Sequence, residues 1–412
     1  MHKQIYPLLI AQFLSAFADN AILFTVIALV MQSAQLATWY VPALQSVFLI
    51  AFVVLAPWVG SFADHYAKSH VLIIANLVKA TGTGLLLMNV EPLIAYCLVG
   101  IGAAIYSPAK YGILPELTHH DALVKANSWI EGSTILAILL GMVIGAKVAD
   151  YSIQWALIGT LVLFASSALV TLFIPAQASR KRQSGSKIKL FSQQIGQFFT
   201  SSRSRFAILS ASLFWATAAT IRVIIIAWAP VVLMSQNASE VAELTLFLAI
   251  GIIIGSALVP RMIPLDFLTR ARIPAYFMGL FIILMSFTES LWPARAALFA
   301  IGTAGGMFIV PINAALQELG QKSIGSGCAV ALQGFFQNVA MLIAVGSYTY
   351  TASVFVDDVI RTESLSALAA EAVTRTFTAN ILLALGIIVL IATYLIALHL
   401  PEPKASPSPK SN

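Results

Sequence analysis

Apolar residues run along this chain in twelve stretches of about 20 residues, the length that an α-helix needs to cross the hydrocarbon core of a bilayer. Short polar segments separate one stretch from the next. The pattern predicts an all-α membrane protein with twelve transmembrane helices, at 7–32, 40–60, 70–89, 92–110, 124–148, 152–174, 206–234, 241–263, 269–288, 292–316, 325–352 and 376–400.

Positive charges fall mostly on one side of these predicted spans. With the N-terminus on the cytoplasmic side, seventeen Lys and Arg residues lie on that side. Four lie on the outer side, namely Lys147, Arg295, Arg361 and Arg375. Because Lys and Arg are enriched in cytoplasmic segments, the asymmetry predicts that both termini are cytoplasmic.

The longest polar segment divides the chain into two sets of six spans. Residues 1–174 form the predicted N-terminal half, 175–205 a cytoplasmic linker and 206–400 the C-terminal half. Residues 401–412, PEPKASPSPKSN, are rich in Pro and Ser and are predicted to be a disordered tail. The second part of the linker places Phe191, Ile195, Phe198 and Phe199 at helical spacing. Two interpretations of it are open: a helix lying on an anionic leaflet, or a solvated linker that leads into span seven.

Internal similarity indicates that the two halves are related. Span four reads GIGAAIYSPAKYGILPEL and span ten reads GTAGGMFIVPINAALQEL, and the Glu residues that end them are Glu116 and Glu318. Both begin with small residues and carry a proline near the cytoplasmic end. Repeats of this kind predict pseudo-symmetric six-helix halves that hold a substrate between them near the midplane.

Four ionisable residues lie midway along apolar spans: Asp19, Lys79, Glu131 and Arg222. A charge at the membrane centre costs at least ~2.5–3.5 kcal/mol on insertion scales. A chain that carries both signs at this depth holds them as ion pairs, as a ligand site, or as both.

The neighbours of these charges suggest different roles for them. Asp19 and the adjacent Asn20 belong to a polar stripe on span one, which favours substrate or gating contact over helix–helix bonding alone. Arg222 occupies a related position in span seven and is likewise predicted to face a cavity. Asp19 and Arg222 carry opposite signs, so they are the best candidates for binding a zwitterion.

The remaining polar candidates divide between ligand contact and structure. Glu131 is predicted either to contact substrate or to form a state-dependent salt bridge, and Gln337 takes a corresponding place in span eleven. For Lys79 an interhelical ion pair is favoured. Lys110 is predicted to reach lipid phosphates or, preferably, to close a cytoplasmic gate against Glu131 or one of the two repeat glutamates, Glu116 and Glu318.

Composition leaves little room for other classes of protein. Of the 412 residues, 59% are hydrophobic and 10% charged, whereas soluble domains are about 25% charged, so no soluble domain is expected. The net charge of +6 comes from residues in the polar segments and does not indicate a nucleic-acid partner. Cys97 and Cys328 lie in apolar stretches, so neither a disulfide framework nor a metal site is expected, and no cofactor is predicted.

The segment from Gly60 to Lys68, read as the loop after span two, carries a motif. It reads GSFADHYAK and resembles the Gly-x-x-x-Asp-Arg-x-Gly-Arg signature of the major facilitator superfamily. His65 and Ala67 depart from the signature. The resemblance implies that Asp64 latches onto the other half in the outward-facing state, which makes Asp64 and Lys68 gating rather than substrate residues.

Longer runs narrow the resemblance to one family. The runs AQFLSAFADNAILF (11–24), AAIYSPAKYGILPELT (103–118) and LVKANSWIEGSTILAILLG (123–141) resemble the bacterial lysophospholipid transporters of that superfamily. The resemblance implies a flippase, monomeric by superfamily default, that moves lysophosphatidylethanolamine and related lysolipids across the inner membrane toward the cytoplasm. There an acyl-ACP-dependent acyltransferase/synthetase restores the second acyl chain.

The residues themselves are compatible with a lysolipid. A phosphate suits the guanidinium fork of Arg222, and an ammonium suits the carboxylate of Asp19 or Glu131. One alternative is a proton-coupled antiporter for amphipathic drugs, which would use one of those carboxylates as a titrating group. An enzyme is disfavoured, because none of the six histidines has an Asp five residues later, as an acyltransferase dyad needs.

Overall fold

The computed structural model describes residues 5–32, 40–175, 186–233, 238–263, 265–357 and 366–399. Those ranges contain helices and turns and no β-strand. Twelve helices are long and apolar enough to cross a membrane, which confirms the predicted all-α fold. They are α1 Ile5–Gln32, α2 Tyr40–His65, α3 Lys68–Leu87, α4 Pro92–Gly112, α6 His120–Tyr151, α7 Ile153–Thr171, α9 Ser202–Val232, α10 Ala238–Met262, α11 Arg272–Met285, α12 Leu291–Lys322, α13 Ser326–Ala352 and α14 Ala367–Ala397. The span that contains α11 begins at Phe267, in the 3₁₀ segment that precedes the helix.

Shorter helices fill some of the connections. They are α5 (Leu114–Leu117), α8 (Lys187–Thr200), a 3₁₀ segment (Leu265–Ala271) and a π-helical segment (Ser353–Asp357). The predicted tail at 401–412 and the basic part of the linker at 176–185 lie outside the described residues.

Several spans begin before the stretches that predicted them, because their caps lie in polar sequence. Helix α14 begins at Ala367 rather than at 376, after Ser366, whose hydroxyl accepts a hydrogen bond from Ala369 N. Helix α9 follows Ser201, whose hydroxyl accepts from Ser204 N. Apolarity marks the hydrocarbon core, whereas side-chain caps satisfy the backbone beyond it.

Helix packing repeats between the halves. In the N-terminal half, α1 packs on α6 and α7, and α4 on α2 and α3, while α3 also meets α7. The corresponding helices of the C-terminal half make the same pairings, α9 with α13 and α14, α12 with α10 and α11, and α11 with α14. This pseudo-symmetry is the predicted arrangement of six and six.

Four helix pairs make most of the contacts between the halves: α2 with α13, α6 with α10, α4 with α13 and α6 with α12. The contacts lie toward one end of the bundle, where Gly60 of α2 and Gly327 of α13 let the backbones meet. A Cβ on Gly60 would lie 2.8 Å from Cys328 Cα, and one on Gly327 would lie 2.9 Å from Ala63 Cβ. This end also carries Lys68, Lys110 and Lys322, so we call it the basic end.

Helix α8 lies at the basic end, at the boundary between the halves. Lys187 Nζ donates to Ser61 Oγ of α2 at 2.9 Å. Phe191 packs edge-on against Phe335 of α13, and Phe198 is buried. The helix expected from the spacing of these apolar residues is therefore present as a separate helix, and its apolar face packs against α13.

Candidate functional site

A buried ion pair lies inside the N-terminal half. Lys79 of α3 is fully buried, and its Nζ lies 2.7 Å from Asp19 Oδ2 of α1. The same Nζ donates to Ser15 Oγ at 3.0 Å and stands 4.5 Å above the ring of Tyr106. The surrounding carboxylate, hydroxyl and aromatic ring offset the cost of removing the lysine ammonium from water.

Further hydrogen bonds fix this pair to the rest of the half. Ser15 Oγ donates to Asn76 Oδ1 at 2.8 Å, and Asn76 Nδ2 donates to Ser167 Oγ at 2.9 Å. Ser167 Oγ in turn donates to the Ala11 carbonyl at 2.6 Å. The network joins α1, α3 and α7, so Lys79 lies at the centre of a rigid polar core.

Asp19 uses only half of its carboxylate in this network. Its side chain keeps 21% of its accessible surface, whereas Lys79 keeps none. Oδ1 is a buried atom with no hydrogen-bond partner among the described residues. A carboxylate oxygen at this depth without a hydrogen-bond donor is costly, and a donor such as an ammonium group would satisfy it.

The structure gives Asn20 a local partner. Its Nδ2 donates to the Ala16 carbonyl of its own helix at 2.8 Å. Its Cβ also sits close to Gly141 of α6, where a Cβ on the glycine would lie 3.1 Å away. Asn20 therefore takes part in α1–α6 packing, apart from the free face of Asp19.

Arg222 lies on the exposed face of α9. No hydrogen bond or ion pair joins its guanidinium to any residue that the structure describes. The side of the helix that points away from Arg222, with Ile221, Ile224 and Trp228, is buried. Arg222 and Asp19 are not in contact, so any joint action needs a molecule between them.

Gln337 of α13 also has a side-chain atom without a hydrogen-bond partner among the described residues. It is half-buried, and its Nε2 is a buried atom without a hydrogen-bond partner in the described part of the chain. The neighbouring Asn338 differs, because its Nδ2 donates to the Gly334 carbonyl at 2.7 Å. Gln337 can therefore still donate to an acceptor that comes from outside the protein.

Glu131 belongs to a polar layer that joins the halves. Its Oε1 accepts from Tyr111 Oη at 2.9 Å and from Asn313 Nδ2 of α12 at 2.8 Å. Asn313 Oδ1 accepts from Gln333 Nε2 at 2.7 Å. In the structure Glu131 is engaged in closure between the halves.

Asn127 and Gln317 form the next step of this layer. The two side-chain amides exchange hydrogen bonds across the halves at 2.8 and 2.7 Å, and both residues are buried. Sequence reasoning missed the pairing partners Asn313, Gln317 and Gln333. The signal was present, since Asn313 and Gln317 are polar residues one turn apart in an otherwise apolar span.

Lys110 lies beside this layer and forms no direct ion pair with a described residue. Its Nζ stands 4.2 Å above the ring of Tyr111, whose hydroxyl donates to Glu131. The gate partners Glu116 and Glu318 are engaged elsewhere. Glu116 pairs with Lys68 at 2.6 Å, and Glu318 forms an ion pair with Lys322 one turn later.

The Gly60–Lys68 motif is helical as far as His65, not a loop as predicted from sequence, and only Tyr66 and Ala67 separate α2 from α3. Asp64 accepts hydrogen bonds from the backbone N–H groups of Gly327 and Cys328, each at 2.8 Å. These are free N–H groups in the first turn of α13, where the helix dipole favours a carboxylate. Lys68 Nζ lies 3.3 Å from Asp64 and 2.6 Å from Glu116 of α5, so it links the two carboxylates.

We call the hydrogen bonds from the Gly327 and Cys328 N–H groups to Asp64 the Asp64 latch. This latch, the Asn127–Gln317 amide pair and the close packing at Gly60 together hold the basic end closed. Among the described residues, no group of three or more His, Cys, Asp or Glu side chains is placed to hold a metal ion. The geometry places polar atoms that have no partner among the described residues at membrane depth, above a closed end. That is the arrangement of a carrier.

The sequence profile of the Major Facilitator Superfamily matches residues 8–345. The chain belongs to that superfamily. It is 40% identical to the lysophospholipid transporter LplT of Klebsiella pneumoniae over 365 residues, covering 87% of this chain and 91% of the relative. It is 39% identical to the LplT of Shigella flexneri over 350 residues, covering 84% and 88%. These relatives place the chain in the lysophospholipid transporter family, which is a family of transporters and not of enzymes.

Solved structures share the fold at low sequence identity. The human organic anion transporter MFSD10 superposes with a TM-score of 0.70 at 12% identity, covering 95% of this chain and 99% of that one. The transporter FucP in its outward conformation gives 0.69 at 12% identity, covering 96% and 99%. Both agree with the twelve-helix architecture.

Proposed function

We propose that this protein moves lysophosphatidylethanolamine and related lysolipids across the bacterial inner membrane by alternating access. Transport runs from the outer to the cytoplasmic side, where an acyl-ACP-dependent acyltransferase/synthetase restores the second chain. The basic end is the cytoplasmic end in this proposal, in keeping with the distribution of Lys and Arg. The carrier acts as a monomer.

The observation that carries the proposal is the chemistry of the polar groups left without partners. Asp19 Oδ1 is an acceptor and Gln337 Nε2 is a donor, and neither has a hydrogen-bond partner among the described residues. Arg222 is a cation without a counter-ion among the described residues. A phosphoethanolamine head group supplies an ammonium for the first and phosphate oxygens for the other two.

The closed basic end supports a direction of entry. The Asp64 latch and the Asn127–Gln317 pair join the halves there, so the head group enters from the opposite end. Rocking of the halves breaks these contacts and exposes the same site to the basic end. Glu131 then loses its Asn313 partner and becomes available to the substrate, which is the first of its two predicted roles. The contacts that it makes in the closed state are hydrogen bonds from Tyr111 and Asn313 and not the predicted salt bridge.

Uptake of labelled lysophosphatidylethanolamine into spheroplasts tests the proposal. We expect Asp19→Asn and Arg222→Ala each to lower uptake about tenfold or more, because each loses a charge-assisted contact of about 1.5–3 kcal/mol. Asp19→Asn is also made together with Lys79→Met, so that no unpaired lysine remains. Asp150→Asn and Arg270→Ala are matched controls at exposed positions.

The same assay separates the proposal from a proton-coupled antiporter. Lysolipid uptake that continues in the presence of a protonophore supports the flippase, and collapse of uptake on its addition supports proton coupling. Well-expressed wild-type protein that takes up no lysolipid would exclude the substrate class. Unchanged uptake in both site variants would exclude the site.

A further inference from the structure

Helix α8 contacts both halves of the protein at the basic end. On the N-terminal half it packs against α2, and Lys187 Nζ donates to Ser61 Oγ at 2.9 Å. On the C-terminal half, the ring of Phe191 meets that of Phe335 in α13 edge-on, with 5.7 Å between the ring centroids. The helix therefore bridges two bodies that an alternating-access carrier moves relative to one another.

One stripe of α8 makes most of these contacts. Lys187, Phe191, Gln194 and Phe198 follow one another at helical spacing, so they lie on the same face of the helix. Phe191, Gln194 and Phe198 are buried, whereas Lys189, on the opposite face, is exposed. The contact face of α8 is therefore used along its whole length.

This contact face lies against the Asp64 latch. Gln194 Nε2 donates to Cys328 Sγ at 3.5 Å, and the backbone N–H of the same cysteine donates to Asp64. Ser61, the partner of Lys187, comes three residues before Asp64 on α2. The basic end is thus closed by two successive layers, the latch itself and α8 beside it.

The path of the chain assigns α8 to the C-terminal half. Only Ser201 separates α8 from α9, and its hydroxyl accepts a hydrogen bond from Ser204 N in the first turn of α9. In the last turn of α8, Phe199 packs against Phe336 of α13, with 5.2 Å between the ring centroids. These contacts all lie within one half, so rocking of the halves leaves them intact and parts α8 from α2.

We propose that α8 is a clasp that moves with the C-terminal half and holds α2 only while the basic end is closed. Opening of that end separates Lys187 from Ser61, so the clasp favours the closed state and lowers the frequency of opening. This inference rests on the proposed function, because such a clasp acts only in an alternating-access cycle.

Cross-linking of the full-length protein tests which half α8 follows. Cys97→Ala and Cys328→Ala first remove the native cysteines. The second change leaves the latch in place, because Asp64 accepts from the backbone N–H at 328. Cysteine pairs are then introduced, joined in detergent by a short bifunctional methanethiosulfonate reagent, and the protein is placed in proteoliposomes. Transport of labelled lysophosphatidylethanolamine is measured before and after the link is released by dithiothreitol.

Two tethers differ only in the half to which they fix α8. Lys187→Cys with Ser61→Cys ties α8 to α2, and we expect it to lower transport at least tenfold until dithiothreitol restores it. Phe199→Cys with Phe336→Cys ties α8 to α13 and serves as the matched control. Transport with this second tether stays within about twofold of the unlinked protein.

A single substitution measures how strongly the clasp holds. Lys187→Met removes the bond to Ser61 and keeps the length of the side chain. Spin labels at Tyr66 and Lys322, exposed residues of opposite halves at the basic end, report opening as a longer distance between them. We expect the ratio of open to closed protein to rise about fivefold, the effect of one hydrogen bond. Lys189→Met, on the exposed face of α8, leaves the ratio unchanged.

Three results overturn the clasp alone: transport that continues with α8 tied to α2, transport that stops with α8 tied to α13, or an unchanged ratio in Lys187→Met. Absence of lysolipid transport by the wild-type protein in the same vesicles would instead overturn the proposed function. The two failures are therefore distinguishable.

Discussion

The Asp19–Lys79 pair gives the sharpest test of how the N-terminal half is held together. Replacing Lys79 by Met keeps the length of the side chain and removes its charge, which leaves Asp19 without its partner. Replacing Asp19 by Asn leaves the fully buried Lys79 without its counter-ion. Making both changes removes the two charges together.

The magnitude follows from the 2.7 Å separation of Nζ and Oδ2. At an effective dielectric constant of about 20, two unit charges at that distance attract by roughly 6 kcal/mol. Removing one partner of a buried pair typically costs about 3–5 kcal/mol, whereas replacing both by apolar or neutral groups is often close to neutral. The double variant is therefore more stable than either single variant, with a coupling energy of about 3 kcal/mol or more.

Thermal unfolding of purified protein in detergent measures the ranking. The fraction of monodisperse protein that survives heating gives an apparent Tm for each variant. Single variants lose on the order of 5–10 °C relative to wild type, and the double variant recovers most of that loss. If the double variant loses as much as the two single variants summed, the two charges do not stabilise one another, and the reasoning fails.

Three further predictions concern the site and the latch. Arg222→Lys keeps the charge without the guanidinium fork, so its affinity for lysolipid falls between that of wild type and Arg222→Ala in a titration; equality with wild type would contradict a bidentate phosphate contact. Asp64→Asn weakens a charged cap on α13, so maleimide labelling of the buried Cys328, mapped by mass spectrometry, becomes faster; an unchanged rate would contradict the latch. Gly60→Val places a side chain against the α13 backbone and speeds the same labelling, whereas Gly84→Val, where a Cβ meets no atom within 4 Å, does not.

The fold follows from the sequence because bilayer physics leaves few choices. Length and apolarity mark twelve spans, and the resemblance of span four to span ten indicates two related halves. Helix ends are harder to predict, because caps such as Ser366 lie in polar sequence beyond the apolar stretch. The motif from Gly60 to Lys68 was predicted to be a loop because it is polar, although most of it continues helix α2.

The sequence identifies most of the residues of the site, but it does not predict which of them pair with one another. Charges at mid-span depth identify Asp19, Lys79 and Glu131, but helix rotation decides which of them meet. Lys110 was expected to reach lipid phosphates or to close a gate against Glu116, Glu131 or Glu318. In this structure Glu116 pairs with Lys68 and Glu318 with Lys322. Inter-half amide pairs such as Asn127–Gln317 were missed, because one sequence does not show which spans from different halves face each other.

The central claim is that Asp19 and Arg222 bind opposite ends of one zwitterionic head group. Equilibrium binding of two single-chain lipids to the purified protein tests it most directly. One lipid is lysophosphatidylethanolamine, and the other is lysophosphatidic acid, which keeps the phosphate and lacks the ammonium.

With Asp19→Asn made together with Lys79→Met, we predict about tenfold or greater loss of affinity for the zwitterionic lipid. Affinity for the anionic lipid stays close to that of wild type in this variant. Arg222→Ala weakens the binding of both lipids. Equal losses for the two lipids in the Asp19 variant, or no loss in Arg222→Ala, would contradict the account.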